Sequence, residues 1–425
     1  MYLGIDFGTS GCRATVINDQ KEIIAEVKQP LAPPDHQCGM IQQNASIWLQ
    51  GLDDLFQQLS TKHDLKQIKR LAIDGTSGTV IICNSQGKPL LPALMYNDSS
   101  SFSASQVIKQ QCPSSQHITM SLSAGLPKAI QLCEDFPDLD NIKILNQADF
   151  LSNRLCGKWG FSDYHNALKL GFDVQNMQWP EWIGKILPEH VLPEVLHPGE
   201  VIGQITTEFS LKYSLSEDCL ICAGSTDANA AFIATESTQL GDAVTSIGTT
   251  LVLKILNDKP VEELSSGVYS HKLGNSWLVG GGSNAGAGIL RQFFTDQQIT
   301  DLSNEIDLNQ PTGLNYYPLS RPGERFPYND PHKEPVLQPR PDSDVEFLQA
   351  LLEGLSQIEK TGYEQFHQIG ALKPGHIKTC GGGAQNPKWT EMRHQLLNIP
   401  VKAASQTEAS YGSALLALHG LKSYQ

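Results

Sequence analysis

The sequence predicts an α/β protein built from two related domains. The chain has 425 residues, more than the roughly 250 to 300 residues at which a single hydrophobic core stops growing. Apolar strands repeatedly end in glycine-rich loops, several of which lead into helices. A strand, turn and strand pattern at residues 3–17 returns at residues 243–253. We therefore expect two duplicated halves, residues 1–233 and 234–425, with a large cleft between them.

The first element is a hairpin over Leu3 to Ile17, in which two apolar runs flank the turn from Gly8 to Gly11. The turn residues are small and rich in N–H and O–H donors, and Asp6 precedes them. Such a turn can wrap an anion while the Asp6 carboxylate faces a metal or a hydroxyl. Taken alone, the stretch is equally consistent with an ordinary glycine hairpin.

The rest of the first half alternates strands and helices, which places helices against a sheet. Apolar runs predict strands, and helical spacing of apolar residues predicts helices. The predicted strands are 23–27, 68–73, 80–83 and 219–223, and the predicted helical regions are 44–59 and a largely helical stretch at 102–190.

The second half repeats this order after its own hairpin. Residues 311–341 are rich in proline and charge and show no periodicity, so we expect an irregular surface segment there. Strands are predicted at 277–279 and 377–380, and helices at 289–294, at 347–369, directly after 387, and at 411–419.

Composition excludes two classes of partner. The net charge is −14, and Lys and Arg are not clustered, which argues against binding to a nucleic-acid backbone. No apolar stretch approaches the roughly 18 residues of a membrane span. The chain opens directly on a strand without a secretory signal. We expect a cytoplasmic protein, or an organellar stromal one if a plant transit peptide has been removed, present as a monomer or homodimer.

The nine cysteines are scattered, and several lie in apolar runs. We expect reduced, buried thiols. Cys219 and Cys222 form a C-x-x-C pair, but no second pair completes a zinc site.

Several loops share one pattern, in which an apolar strand is followed by glycines with hydroxyl, amide or carboxylate residues. Ligands of open α/β sheets bind at the carboxyl ends of strands, where turn amides and helix N-termini favour anions. Five such loops in one chain point to a nucleotide. Neither the P-loop pattern nor the dinucleotide-binding glycine fingerprint is present.

The loops together resemble those of the FGGY carbohydrate kinases, which share the actin, hexokinase and Hsp70 fold (ribonuclease H-like domains). The resemblance covers essentially the whole chain. It is carried by G-I-D-F-G-T-S at 4–10, I-D-G-T-S-G-T at 73–79, G-S-T-D-A at 224–228, S-I-G-T-T at 246–250, G-E-R-F-P at 323–327 and C-G-G-G-A-Q-N at 380–386. Within the family, the short length and residues 162–171 look most like the D-ribulose kinases of cyanobacteria and plants.

The resemblance implies a set of catalytic and phosphate-binding roles. Asp227 would take the proton of the sugar hydroxyl, although it could instead cap the following helix. Asp6 would hold Mg²⁺ or accept from the sugar, the alternative being a carboxylate satisfied by turn amides. The phosphates of ATP would meet Thr9, Ser10 and Gly11 from one domain and Gly248 and Thr249 from the other.

Nucleotide and sugar would occupy different loops. We expect adenine and ribose beside Gly382, Gly383, Ala384 and Asn386, with Gly286 touching the nucleotide or serving close helix packing. Trp389 could flank the purine or belong to the core.

For the sugar, Ser77 and Gly78 are the expected contacts, along with Asp6, Ser10, Gly11 and Asp227. Asp74 contacts the sugar or only braces the turn. Tyr96-Asn97-Asp98 stands where relatives carry W-x-D followed by a basic residue. This departure puts a sugar-binding role for Asp98 in doubt and argues against glycerol as substrate. We expect His165 to be a structural donor.

The predicted activity is transfer of the γ-phosphate of ATP, with Mg²⁺, to the terminal hydroxyl of a ketopentose, with D-ribulose ahead of D-xylulose. The alternative of another class is a nucleotide-regulated binding protein on the same fold. Sugar and ATP are the only partners expected, with no nucleic acid and no membrane.

Overall fold

The computed structural model describes residues 1–424 and divides the chain into two compact units. Unit 1 contains residues 1–236 and 408–422, and unit 2 contains residues 237–407 with Ser423 and Tyr424. The predicted division at 233/234 lies close to the first boundary. It did not include the return of residues 408–422 to unit 1.

Unit 1 mixes strands and helices. Its strands are β1 (Tyr2–Phe7), β2 (Gly11–Ile17), β3 (Ile23–Pro30), β4 (Asp35–Gln37), β5 (Met40–Gln43), β6 (Arg70–Gly75), β7 (Val80–Asn84), β8 (Ala93–Leu94), β9 (Ile142–Asn146), β10 (Phe161–Asp163), β11 (Glu194–Leu196), β12 (Val201–Gln204) and β13 (Leu220–Thr226). Its helices up to residue 236 are α1 (Ala45–Ser60), α2 (Phe102–Gln111), α3 (Gly125–Cys133), α4 (Gln147–Cys156), α5 (Tyr164–Ala167), α6 (Glu181–Gly184), α7 (Thr207–Tyr213) and α8 (Asp227–Ala234).

The main sheet of unit 1 has the order β12-β13-β6-β1-β2-β3. The predicted opening hairpin is present, because β1 pairs antiparallel with β2. On its other side β1 pairs in parallel with β6, and β6 with β13. The carboxyl ends of β1, β6 and β13 therefore meet at one edge of the sheet.

A second sheet of order β4-β5-β8-β7-β9 lies in the same unit, and β10 pairs with β11. The stretch at 102–190 is therefore less helical than predicted, since β9 and β10 interrupt it. Both strands are short and lie between helices of similar apolar content, so periodicity did not separate them.

Unit 2 repeats the plan around one sheet of order β16-β17-β15-β14-β18-β19. Its strands are β14 (Asp242–Ile247), β15 (Leu251–Asn257), β16 (Tyr269–Leu273), β17 (Ser276–Ser283), β18 (His376–Cys380) and β19 (Val401–Ala403), and its helices are α9 (Asp296–Glu305), α10 (Asp344–Gln368) and α11 (Pro387–Leu397). The second hairpin, β14 with β15, is present as predicted. The predicted helix at 289–294 is instead a 3-10 segment, Ala287–Gln292.

The final helix, α12 (Ala409–His419), packs on β1, β6 and α8 of unit 1. The contact is close because both surfaces carry glycine. A Cβ on Gly4 would lie 2.0 Å from the Ser410 carbonyl oxygen, and a Cβ on Gly412 would lie 1.9 Å from that of Ala230. The motif glycine of the first strand is therefore required for helix docking.

A buried ion pair of unit 2 joins α10, α11 and β18. The guanidinium of Arg393 on α11 donates to both carboxylate oxygens of Glu359 on α10, at 2.6 Å each. It also donates to Thr379 Oγ1 on β18 at 2.7 Å. Both charged side chains are buried, so the pair fixes the two helices against the strand.

All nine cysteines are free thiols, and seven of them are buried. Burial raises the pKa of Cys219 to about 12 and that of Cys222 to about 11. Both thiols of the C-x-x-C pair are therefore protonated at neutral pH. None of the helices within residues 1–424 is both long and apolar enough to cross a membrane.

Candidate active site

Two carboxyl groups lie side by side at the carboxyl edge of the unit 1 sheet, because Asp6 of β1 is in register with Asp74 of β6. Both are buried, with 4% and 0% exposure. Arg13 Nη1 donates to Asp6 Oδ2 at 3.1 Å. Asp6 is thus paired with a cation rather than with turn amides.

Burial is the main cause that raises the pKa of both carboxyls. Repulsion from Asp6 raises the pKa of Asp74 further, to well above its usual range. For Asp6, Arg13 partly opposes the effect of burial. The pair therefore favours one negative charge, held on Asp6, while Asp74 is the protonated member.

The third carboxyl is Asp227, the first residue of α8, which follows β13 directly. Its negative charge contributes to the raised pKa of Asp74, so the three carboxyls belong to one local group. Thr226, not Asp227, occupies the N-cap position. Asp227 is only half-buried, and its Oδ1 accepts from the N–H of Ala228 at 2.7 Å.

The turn of the first hairpin begins next to Asp6. The N–H of Gly8 donates to the Gly11 carbonyl at 3.0 Å, and the Ser10 carbonyl accepts from Leu31 at 3.0 Å. Ser10 is exposed and Thr9 half-buried. The turn thus has a fixed backbone and presents hydroxyl groups to its surroundings, as an anion-binding turn requires.

The loop at 76–79 follows β6 and is hydrogen-bonded to Gln147 of α4. Gln147 Oε1 accepts from both the backbone N–H and the hydroxyl of Thr76, at 3.0 and 2.9 Å. Thr76 is therefore a structural residue. Ser77 Oγ, in contrast, is buried and makes no hydrogen bond with any residue in the part of the chain that the structure describes.

A buried polar network supports the other loop, at 224–227. His165 Nδ1 lies 2.7 Å from Ser225 Oγ, and Asn166 Nδ2 donates to the Ser225 carbonyl at 3.0 Å. Asp163 accepts from the backbone N–H groups of both residues. His165 thus contacts the Ser225 side chain, and Asn166 contacts the backbone two residues before Asp227.

Asp98 has a structural environment as well. Its Oδ2 accepts from the N–H of Ile41 at 2.7 Å, and its Oδ1 accepts from the backbone and hydroxyl of Ser100 at 3.0 and 2.8 Å. The side chain is fully buried. These bonds use both carboxylate oxygens, which agrees with the doubt raised about a sugar-binding role for Asp98.

Unit 2 contains a cavity of about 530 Å³ at the carboxyl end of β14. One side is formed by the glycine-rich loops that follow β14 and β18, and the other side by α9. Among the residues predicted to bind nucleotide, the cavity is lined by Gly248, Thr249, Gly382, Gly383 and Asn386. The apolar residues that line it include Ile247, Ile299 and Trp389.

Gly286 and Ala384 are not among the residues that line this cavity. A Cβ on Gly286 would lie 2.5 Å from Thr250 Cα and 2.6 Å from the Thr249 carbonyl oxygen. The glycine therefore allows its loop to pack on the turn of the second hairpin, and not on a helix as the packing alternative expected. Trp389 belongs to the core, where its Nε1 donates to Ser356 Oγ at 2.9 Å, and it also lines the cavity.

Asn386 joins the loop to two helices. Its Oδ1 accepts from the N–H of Trp389 at 3.0 Å and caps α11, and its Nδ2 donates to Ser303 on α9 at 2.8 Å. Asn386 therefore fixes the width of the cavity between the loop and α9.

Two residues at the unit 1 site were not identified from the sequence. Ser413 on α12 donates to Asp74 Oδ2 at 2.6 Å, and the ammonium of Lys128 on α3 donates to the Gly78 carbonyl at 2.8 Å. A signal was present for Lys128, because it follows Leu126 and precedes Ala129 and Ile130 on an otherwise apolar helix.

Among residues 1–424, no three His, Cys, Asp or Glu side chains form a group that could hold a metal ion. Mg²⁺ commonly binds proteins through one or two carboxylates and completes its shell with substrate phosphates and water. The Asp6 carboxylate, in register with Asp74 and three residues before Thr9 of the turn, fits this mode of binding.

The fold and these loops define a two-domain protein of the actin and hexokinase type. Models of the FGGY family of carbohydrate kinases match residues 1–234 with the N-terminal domain and residues 243–421 with the C-terminal domain. The chain belongs to this family. It is therefore an enzyme that transfers phosphate from ATP to a sugar, as predicted, rather than the non-enzymatic alternative.

The most similar proteins include kinases of several polyols. The xylulose kinase of Escherichia coli K12 is 25% identical over 92% of this chain and 84% of its own length. A crystal structure of a "xyloylose kinase" from Brucella ovis has a TM-score of 0.88 at 23% identity, covering 99% of this chain and 90% of that one. Plasmodium falciparum glycerol kinase with ADP has a TM-score of 0.85 at 19% identity, covering 99% and 89%. The fold alone thus does not select the acceptor.

Proposed function

We propose that this enzyme phosphorylates the terminal hydroxyl of a ketopentose, with D-ribulose as the preferred substrate. The observation that carries the proposal is the group of three carboxyls in unit 1, of which Asp227 alone is half-exposed and lies beside two polar loops. A carboxylate in this setting can accept the proton of a sugar hydroxyl.

The reaction is a direct phosphoryl transfer. The sugar hydroxyl oxygen forms a bond to the γ-phosphorus of ATP, the bond from that phosphorus to the β,γ-bridging oxygen breaks, and ADP leaves. The hydroxyl proton passes to Asp227. A half-exposed carboxylate can release this proton to water after each turnover, which a fully buried one could not do readily.

The remaining groups bind and orient the substrates. The hydroxyls of Thr9 and Ser10 would contact the phosphates, and the unit 2 cavity would receive adenine and ribose beside Gly382 and Gly383. Mg²⁺, held by Asp6 and the phosphates, would neutralise phosphate charge. Asp74, protonated and bound to Ser413, can donate a hydrogen bond where a charged carboxylate would repel the phosphates.

The sugar assignment rests on residues 162–171, which resemble the D-ribulose kinase group. This stretch is adjacent to the sugar-side loop, since Lys169 Nζ lies 3.5 Å from the Ser77 carbonyl oxygen. D-xylulose is the second candidate, favoured by the names of the curated relatives, of which the first is a xylulose kinase at 25% identity.

We further propose a reducing compartment, the cytoplasm or an organellar stroma, as the location. The nine free thiols support this proposal. A monomer or homodimer with no partner other than its substrates is the expected form.

A substrate panel tests the proposed function. Sugar-dependent ADP release is measured with D-ribulose, D-xylulose, L-ribulose and glycerol at equal, subsaturating concentrations, so that the rates report kcat/KM. We expect D-ribulose to give the highest rate. A preference for D-xylulose would replace the first candidate by the second. A preference for glycerol or L-ribulose would contradict the ketopentose assignment.

A further inference from the structure

Lys128 is a fully buried lysine whose ammonium contacts three separate segments of unit 1. Its Nζ donates to the carbonyl oxygens of Met95 at 2.7 Å, Gly78 at 2.8 Å and Ser123 at 3.1 Å. Its exposed fraction is 0%. Lysine is rarely buried to this extent unless it is paired with an acid.

No carboxylate forms an ion pair with this ammonium among residues 1–424. The two charged groups that act on it are Asp98, which favours the protonated form, and Lys169, which opposes it. Burial is the largest effect and lowers the pKa of Lys128 to about 7. Three carbonyl dipoles therefore replace the water shell of a charge whose burial is costly.

The three carbonyls belong to three separate segments of unit 1, one of which is the loop expected to contact the sugar. Gly78 follows Ser77 in the sugar-side loop, Met95 precedes Tyr96 and leads to Asp98, and Ser123 leads into α3. Gly78 has φ of +86°, so its peptide adopts an orientation that the ammonium helps to fix. Ser77 Oγ, the buried hydroxyl without a partner in the described chain, lies in the same loop.

We propose that Lys128 is a positioning residue for acceptor binding, and that its ammonium holds the 76–79 loop in the geometry that presents Ser77 and Gly78 to the sugar. The proposal rests on the proposed function, because it assigns this loop to the sugar. It adds a residue that contacts neither substrate but determines the affinity for one of them.

The proton of Lys128 is essential to this role. Three carbonyls require three N–H donors, which an ammonium has and a neutral amine lacks. The charged groups that act on it are Asp98, which favours the ammonium, and Lys169, which opposes it. The KM for the sugar should therefore rise as the pH increases through about 7, whereas the KM for ATP should not follow the same curve.

The test compares Lys128→Met, Lys128→Arg and a matched control, Lys158→Met. Lys158 also donates to a backbone carbonyl of unit 1, that of Ile202 at 2.8 Å, but far along the chain from the sugar-side loops. For Lys128→Met we expect the KM for the sugar to rise about 10- to 100-fold, the loss expected for hydrogen bonds from a charged donor. The KM for ATP should change less than about twofold, as should both constants in the control.

The pH profile distinguishes positioning from bulk packing. In Lys128→Arg the charge persists at high pH, since the guanidinium titrates above about 12. The KM for the sugar should therefore no longer rise as the pH increases through neutrality. An unchanged sugar KM in Lys128→Met, or an equal rise in both KM values, would overturn the proposal. If Lys128→Met does not fold, a wild-type sugar KM that stays constant from pH 6 to 9 would overturn it.

Amide hydrogen exchange separates this proposal from the proposed function. It is measured on the protein without sugar or nucleotide. Loss of the ammonium should accelerate exchange at residues 76–79 in Lys128→Met, and in the wild type above pH 7 after correction for the intrinsic pH effect. Faster exchange in an enzyme that phosphorylates no ketopentose would contradict the substrate assignment alone. Unchanged exchange would contradict the role of Lys128.

Discussion

The three carboxyls of unit 1 differ in their surroundings, and this difference supports the proposed role of Asp227. Asp6 has a guanidinium at 3.1 Å, Asp74 has the Ser413 hydroxyl at 2.6 Å, and Asp227 contacts its own helix backbone. Of the three, only Asp227 lies in a partly solvent-accessible environment. A residue that must exchange protons at each turnover needs such an environment.

Replacing Asp227 by Asn should remove the general base while keeping the side-chain shape. We expect kcat for sugar phosphorylation to fall by about 10²- to 10⁴-fold, with little change in the KM for ATP. The measurement is sugar-dependent ADP release under saturating ATP. Asp218→Asn, a substitution of an exposed aspartate just before β13, is the control. Wild-type turnover in Asp227→Asn would remove this residue from catalysis.

At the scale of elements, the sequence predicted the two hairpins and the glycine-rich loops better than the short strands between helices. The hairpins at β1–β2 and β14–β15 were predicted because small residues separate two apolar runs. The loops after β6 and β18 were predicted for the same reason. The β9 and β10 strands were not, because they are short and lie between helices of similar apolar content.

The residues of the candidate site likewise fall into those that the sequence identified and those that it did not. Asp6, Asp227 and the glycine loops lie in motifs with fixed local spacing, so their positions could be read from the chain. Ser413 reaches Asp74 from 339 residues away, and such a contact depends on how α12 packs. Lys128 likewise contacts segments whose proximity is created by the tertiary fold.

The docking of α12 predicts a large effect from one methyl group. A Cβ on Gly412 would lie 1.9 Å from the Ala230 carbonyl oxygen. We therefore expect Gly412→Ala to reduce the free energy of unfolding by about 1 to 3 kcal/mol, measured by urea denaturation. Gly184→Ala on α6 is the matched control, since a Cβ there has no neighbour within 4 Å. Equal stability of the two variants would contradict the close contact.

The buried ion pair of unit 2 gives a second prediction at this scale. Arg393→Met leaves Glu359 as an unpaired buried charge, so we expect a loss of about 3 to 5 kcal/mol in unfolding free energy. The double variant with Glu359→Met should recover much of this loss, because no charge then remains. Calorimetric or denaturant unfolding of both variants provides the measurement. Failure of the double variant to recover would indicate that Thr245 and Thr379, which bond to the pair, dominate instead.

At the scale of the whole molecule, the buried carboxyls predict how stability depends on pH. Burial raises the pKa of Asp149 to about 8 and that of Asp163 to about 6, with repulsion between them contributing to Asp149. Both values exceed the 3.8 of an unfolded aspartate. Between pH 3.8 and these raised values, the folded protein therefore binds more protons than the unfolded chain. Stability should fall as the pH rises through about 6 and then about 8.

Asp149→Asn tests this dependence, because Asn keeps the acceptor for the Asn146 donors and cannot ionise. Between pH 6 and 9 the wild type should lose on the order of 3 kcal/mol more than the variant, measured by urea denaturation at each pH. The opposite effect of Lys128, whose pKa is lowered, is present in both proteins and cancels. Asp135→Asn, on the surface, should follow the wild type. Parallel wild-type and Asp149→Asn curves would contradict the prediction.

The return of α12 to unit 1 has a consequence for biosynthesis. Residues 237–407 are translated between the first sheet and the helix that covers β1 and β6. At about 5 to 20 residues per second, the ribosome needs about 10 to 30 seconds to cross this interval. During that time the unit 1 sheet is complete but its α12 face is uncovered, and Asp74 lacks the Ser413 hydroxyl. Unit 1 therefore acquires its final form only after residues 237–407 of unit 2 have been made, and a chain terminated before α12 lacks the hydrogen bond from Ser413 to Asp74.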